Sequence, residues 1–162
     1  MIKGNLRVEN VRIGFRNFTG KGSKYNRDGC RNFALFLEED QARDLQAEGW
    51  NVKIKEDIDY DRVSCHLSVE CKFGCFKDPN IFLIMNGKKQ RIMEDTVSTL
   101  DYIDIDYCDV VVRPYNYEVN GRTGVKAYLD TLYVIAKEDA FASKYGNYDC
   151  DDEPVDDGDV PF

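Results

Sequence analysis

Histidine is nearly missing from this chain: His66 stands alone. A histidine-built metal centre or a histidine relay therefore has no material to draw on. The six cysteines include no Cys-x2-Cys pair, and Cys65, Cys71 and Cys75 are separated by five and three residues. That is not a zinc-site spacing. No Gly-x-Ser-x-Gly element is present, and Gly20-Lys21-Gly22-Ser23 lacks the spacing of a Walker A loop. No apolar run nears the 18 residues of a membrane helix. The start, Met1-Ile2-Lys3-Gly4-Asn5, has no apolar core of a signal peptide, so a cytoplasmic protein with reduced thiols is expected. A basic surplus is also absent: 22 Lys and Arg face 30 Asp and Glu, for a net charge of -8. Taken whole, that balance argues against a simple nucleic-acid coat protein.

What is present suits a soluble globular chain. It has 162 residues, 43% hydrophobic and 32% charged, enough for one domain and a tail. The charge is polarised. Residues 1–37 set Lys3, Arg7, Arg12, Arg16, Lys21, Lys24, Arg27 and Arg31 against Glu9 and Asp28, a balance of +6. Residues 144–162 set Lys144 against Asp149, Asp151, Asp152, Glu153, Asp156, Asp157 and Asp159, a balance of −6. This second segment has too little apolar surface to offset its ordering entropy and is expected to be a disordered tail. It still ends in Val160-Pro161-Phe162, an apolar tip that suits a small pocket rimmed by Lys or Arg. The opposed poles also suggest that the tail lies against the basic segment as an internal competitor for any polyanion that binds there.

Periodicity predicts strands at residues 6–15, 31–37, 52–54, 64–73, 81–85, 109–119 and 125–135. The first slips its alternation between Val8 and Val11, which predicts a bulge. In the fourth, Cys65, Leu67, Val69, Cys71 and Phe73 share a face, so these thiols read as core rather than ligands. Asn120-Gly121 marks a hairpin between the last two strands. Residues 40–48 predict a helix with Asp40 as N-cap and Gly49 at its end; residues 95–101 predict one or two helical turns. Short strands without alternating long helices point to a small β-barrel.

Basic and aromatic residues interleave twice. Phe15-Arg16-Asn17-Phe18 leads into Lys21, Lys24, Tyr25, Arg27 and Arg31, and Arg113-Pro114-Tyr115-Asn116-Tyr117 precedes Lys126 and Tyr128. Single-stranded nucleic acid needs this mixture, cations for phosphates and flat rings for unpaired bases. Phe33, Phe36, Phe73 and Phe82 sit in apolar runs and are the expected core rings. Phe18 and Tyr25, in a polar Gly-rich loop, are the expected stackers. Tyr115, Tyr117 and Tyr128 join the expected DNA site, Tyr115 and Tyr117 as stackers, with a facing that depends on hairpin register. The expected DNA track comprises Arg12, Arg16, Lys21, Lys24, Arg27, Arg31 and Arg113 with Lys126, extended by Lys88, Lys89 and Arg91. Asp101, Asp104, Asp106 and Asp109, with Glu70 and Lys72, offer the rival of a Mg²⁺-dependent nuclease. An acidic DNA mimic that binds a host enzyme is a second rival, opposed by the basic N-terminal segment. No cofactor or metal is expected.

Two resemblances sharpen this. Asp156-Asp157-Gly158-Asp159-Val160-Pro161-Phe162 resembles the acidic tip of bacterial single-stranded DNA-binding proteins, although Gly158 interrupts the acid run. Most of the remaining chain resembles phage-encoded single-stranded DNA-binding proteins. The matching stretches are Arg16-Asn17-Phe18-Thr19-Gly20, Lys24-Tyr25-Asn26-Arg27, Arg31-Asn32-Phe33, Gly49-Trp50-Asn51-Val52-Lys53, Arg113-Pro114-Tyr115 and Val119-Asn120-Gly121. The resemblance implies a mainly β OB-fold, a five-stranded Greek-key barrel over residues 1–143, with short helices and a disordered tail over 144–162. It implies a non-enzymatic protein that coats and protects single strands during replication, recombination and repair. Asp156, Asp157, Asp159, Val160, Pro161 and Phe162 would recruit partner enzymes. A homodimer is left open.

Overall fold

The computed structural model describes residues 2–22, 24, 29–75 and 77–137. The elements run β1 (Leu6–Asn17), β2 (Arg31–Leu37), α1 (Glu39–Glu48), β3 (Val52–Asp57), β4 (Arg62–Cys71), β5 (Asn80–Met85), β6 (Lys88–Ile92), β7 (Ile105–Val119) and β8 (Arg122–Ala136). Two 3-10 turns, Ile58–Tyr60 and Val97–Asp101, punctuate them. Among the described residues no helix is long and apolar enough to cross a membrane.

Strand order is β3-β4-β2-β1-β7-β8-β5-β6, with an additional pairing of β4 to β8. That extra pairing closes the ring β1–β2–β4–β8–β7. Its seam is parallel, at Val69↔Ala127 and Glu70↔Tyr128, while the other joints are antiparallel. The outcome is the expected five-stranded barrel; of the two expected short helices, the first forms α1 and the second is the 3-10 turn Val97–Asp101. β3 widens the sheet beyond β4, and the β5–β6 hairpin widens it beyond β8. β8 changes partner along its length: Val125 meets Trp50, Ala127 and Tyr128 meet β4, and Thr131 to Ile135 meet β5.

Alternation puts one face of each strand inside. In β4, Cys65, Leu67, Val69 and Cys71 are buried, while His66 and Glu70 are half-buried and Ser68 is exposed. Burial pushes the Cys71 and Cys108 thiols up to about 12, so both stay protonated core groups. The first bulge falls where the alternation slips, between Val8 and Val11, with Asn10 at φ 53°. The Asn10 N–H donates to Asp109 Oδ1 at 2.9 Å.

Three features differ from the sequence expectation. The helix starts at Glu39, with Glu38 rather than Asp40 as N-cap, and Gly49 closes it at φ 117°. β6 is an added strand. Its sequence, Lys-Lys-Gln-Arg-Ile, is too polar to show periodicity, but Asn86-Gly87 turns into it with φ values of 52° and 78°. Phe36, expected in the core, is 42% exposed.

Candidate nucleic-acid interface

The outer face of β3, β4, β2 and β1 carries a row fixed by register. Lys53 lies beside His66, His66 beside Phe36, and Phe36 beside Arg12. A second bulge, between Gly14 and Asn17, throws Phe15 onto the same face. Phe15 is 72% exposed and sits at φ 48°. A bulky side chain is rare in this left-handed region, where strain of about 1–3 kcal/mol often marks a ligand clamp. The Phe15 ring meets Phe36 edge-on at 5.6 Å and His66 at 5.7 Å. Gly14 makes room for this cluster. A Cβ there would lie 2.5 Å from the Phe36 ring, so any side chain would lift Phe36 off the sheet. These rings border an open groove of about 880 Å³, further lined by Lys53, Lys55, Ser64 and Gln46.

Burial first, and the Lys53 charge second, hold the His66 imidazole below its usual pKa. Two pH effects of opposite sign follow. The unfolded chain binds the proton more readily, so stability falls as pH drops from about 6.5 toward the lower folded value. An anion such as a phosphate bound nearby would favour the imidazolium, so binding of a polyanion on this face would strengthen as pH falls. His66→Gln should flatten both profiles, read by thermal melts and by titration.

A second cluster lies across the barrel seam. Tyr115 and Tyr128 stand with ring centroids 5.3 Å apart. Lys72 Nζ sits 5.1 Å above the Tyr128 ring, and Lys126 pairs with Glu70 at 3.9 Å. Arg113, opposite Tyr128 in register, approaches Asp130 at 3.6 Å, and Lys77 joins that carboxylate at 3.4 Å. Glu70 pairs with Tyr128 in register, so the outer row of β4 leads from His66 through Ser68 and Glu70 to this cluster.

The N-terminal expectations divide. Phe18 is corrected from stacking ring to core: it is 0% exposed and stacks on Phe33 at 5.1 Å. Its loop is polar in composition, but Asp101 accepts the Phe18 and Thr19 N–H groups at 2.8 and 3.0 Å and draws the ring under the Val97–Asp101 turn. Arg16 also turns inward, donating from Nη1 to the Leu100 and Ile103 carbonyls at 2.7 and 2.8 Å. Arg31 donates from Nε to the Phe18 carbonyl at 2.9 Å and meets Glu94 at 3.3 Å. Tyr117 gives its hydroxyl to structure, accepting from Asn51 Nδ2 at 2.9 Å. Arg12, Lys21 and Lys24 are exposed. Tyr25 and Arg27 lie outside the described residues, as do Asp156, Asp157, Asp159, Val160, Pro161 and Phe162. Asn17 Oδ1 ties the loop base, accepting from Thr19 Oγ1 and from the Gly20 and Lys21 N–H groups.

Residues 1–160 match the family model of the phage ssDNA-binding domain. The chain belongs to this family. Among solved structures, it is similar to the single-stranded DNA-binding protein of bacteriophage Enc34 in C-terminally truncated form. The TM-score is 0.53 at 15% identity, covering 84% of this chain and 87% of that one. The Enc34 protein in complex with ssDNA gives a TM-score of 0.51 at 18% identity, covering 85% and 89%. At these identities the likeness carries the fold. None of the curated proteins matches the chain.

For this member of the phage family, the ring-bearing face differs from the expected one. Phe15, Phe36, His66, Lys53, Lys55 and Lys72 were not among the expected site residues. Alternation from Val11 through Ile13 to Phe15 gives no local signal for the outward turn of Phe15; for Phe36 the signal is the alternation of Phe33, Leu35 and Leu37, which leaves residue 36 on the outer face. A third cluster lies on the β5–β6 flank. Phe82 stacks on Tyr133 at 5.1 Å, with Lys89 and Arg91 at 4.8 and 5.3 Å from the Phe82 centroid. Lys89 and Arg91, with Lys88 on the same edge strand, thus lie over or beside the Phe82 ring. The acids of the nuclease rival are dispersed: Asp101 caps a loop, Asp109 holds a bulge and Glu70 pairs with Lys126.

Proposed function

We propose that this phage single-stranded DNA-binding protein holds unpaired DNA along the outer face of β3, β4, β2 and β1, then across β4 to Tyr115 and Tyr128. It acts without cleaving the strand or reading its sequence. The observation that carries this reading is the exposed Phe15–Phe36–His66 cluster beside Lys53, Lys55 and Arg12. Exposed rings on a barrel face offer stacking to any base, and adjacent cations replace the counterions of the backbone. The face belongs to the second and third strands of the closed ring, where OB barrels take oligonucleotides. In this reading the protein protects strands during replication and recombination. The tail tip, through Phe162, docks partner enzymes, and a chain truncated before the tip should fail to retain them.

The test is a titration of oligo-dT against duplex of equal length at several salt concentrations. If Arg12, Lys53, Lys55, Lys72 and Lys126 each release one counterion, log K falls with log salt at a slope of about −3.5. Preference for oligo-dT with such a slope supports the reading. Equal retention of duplex, or no binding at low salt, refutes it. In the same assay, removing residues 149–162 should tighten binding, most at low salt, and so steepen the slope, because the seven acids of that segment compete with the strand for the protein's cations.

A further inference from the structure

The link between α1 and β3 supplies none of the residues of the proposed DNA face, yet it is fastened to the hairpin that carries Tyr115 and Tyr128. We infer that Asn51 is a positioning residue: it fixes the β7–β8 hairpin and thereby presents Tyr115 and Tyr128 to the strand. This rests on the DNA-binding reading above.

The clasp is built from consecutive residues. Gly49 ends α1 in a left-handed conformation, and the Trp50 N–H returns to the Leu45 carbonyl at 3.1 Å. Trp50, 3% exposed, forms a parallel bridge to Val125. The Asn51 N–H donates to the Val125 carbonyl at 3.0 Å, and the Val125 N–H donates to Asn51 Oδ1 at 3.1 Å. Asn51 Nδ2 donates to the Tyr117 hydroxyl at 2.9 Å. One amide thus engages both strands, Val125 on β8 and Tyr117 on β7. Its acceptor and donor are both used, so neither Asp nor Leu reproduces it.

Gly124 completes the arrangement. It lies opposite Tyr117 in register, and a Cβ there would fall 2.5 Å from the Tyr117 hydroxyl and 2.7 Å from Asn51 Oδ1. The clasp therefore needs a glycine at this point. Its location gives it leverage. β4 supports β8 only at Ala127 and Tyr128, so the ribbon beyond them is held laterally by residues 50 and 51 on β8 and by the reciprocal hydrogen bonds of Asn116 with the Ile2 backbone, at 3.0 and 2.7 Å, on β7. A two-stranded ribbon without such support twists more freely. Tyr115 lies two residues from Tyr117 on the same strand face.

The experiment is a coupling measurement in oligo-dT binding at fixed salt, with folding checked by circular dichroism. Asn51→Ala should weaken binding about five- to tenfold, the worth of one misplaced stacking ring. Adding Tyr115→Ala to Asn51→Ala should then cost less than about twofold more, whereas adding Phe36→Ala should cost its full wild-type factor. Tyr117→Phe, which removes only the hydroxyl, should show the same selective coupling should Asn51→Ala fail to fold. Independent addition of the Asn51 and Tyr115 effects overturns the inference and leaves the DNA face standing. Equal loss of the Phe36 and Tyr115 contributions also overturns it, since that is general loosening. If Tyr115→Ala alone leaves oligo-dT binding unchanged, the hairpin's place in the DNA face falls too, and the inference with it.

Discussion

Replacing Phe15 and Phe36 together with alanine weakens oligo-dT binding by at least about 30-fold, while the fold persists. Each base stacked on an aromatic ring is worth about 1–3 kcal/mol by alanine substitution. Two rings therefore remove about 2–6 kcal/mol, and each 1.4 kcal/mol is tenfold in affinity. Stability changes little, because Phe15 is 72% exposed and Phe36 42%. Phe15→Ala also removes a bulky side chain from a left-handed backbone position. Titration of the double variant over a range of salt separates this loss from electrostatics. The affinity should fall while the salt slope stays, since no cation has been removed. A loss under about threefold would move the stacking site elsewhere on the barrel.

Phe18→Ala should have the opposite signature. The ring is fully buried, stacked on Phe33 and capped by Asp101. Truncating a buried Phe costs about 3–5 kcal/mol through lost transfer energy and the cavity left behind. The thermal midpoint should drop by roughly 10 °C or more. The folded fraction should still bind oligo-dT within about twofold of wild type, because Phe18 offers no face to a ligand. Unchanged stability with a large loss of affinity would return Phe18 to the stacking role its loop composition suggests.

The two phenylalanines show how far the sequence could be read. The barrel strands were legible because half-buried strands alternate, as Cys65, Leu67, Val69 and Cys71 do in β4. The Asn120-Gly121 turn was legible because both its residues adopt positive φ. Even the first bulge announced itself as a slip in period. The site was harder because it depends on contacts between distant strands. Phe36 lies in the apolar run of β2, where composition alone says core. It is exposed because alternation turns it outward over Gly14, a neighbour on β1. Phe18 follows a polar pattern locally and is buried by Asp101, 83 residues away. Charge gave the coarse pole correctly, but Arg16 and Arg31 spend guanidinium donors on backbone carbonyls, while Lys53 and Lys55 of β3 supply cations to the ring-bearing face. A net charge of -8 therefore says little about the groove. What matters is which cations stand beside exposed rings.

The path of the strand is most directly tested by ultraviolet cross-linking of halogenated oligo-dT to the full chain, followed by peptide mapping. Cross-links should fall on the peptides holding Phe15 and Phe36 and on those holding Tyr115 and Tyr128, and should disappear with excess unlabelled oligo-dT. Cross-links confined to Tyr60, Tyr102 or the Phe82–Tyr133 flank, with none at Phe15 or Phe36, would contradict the proposed face.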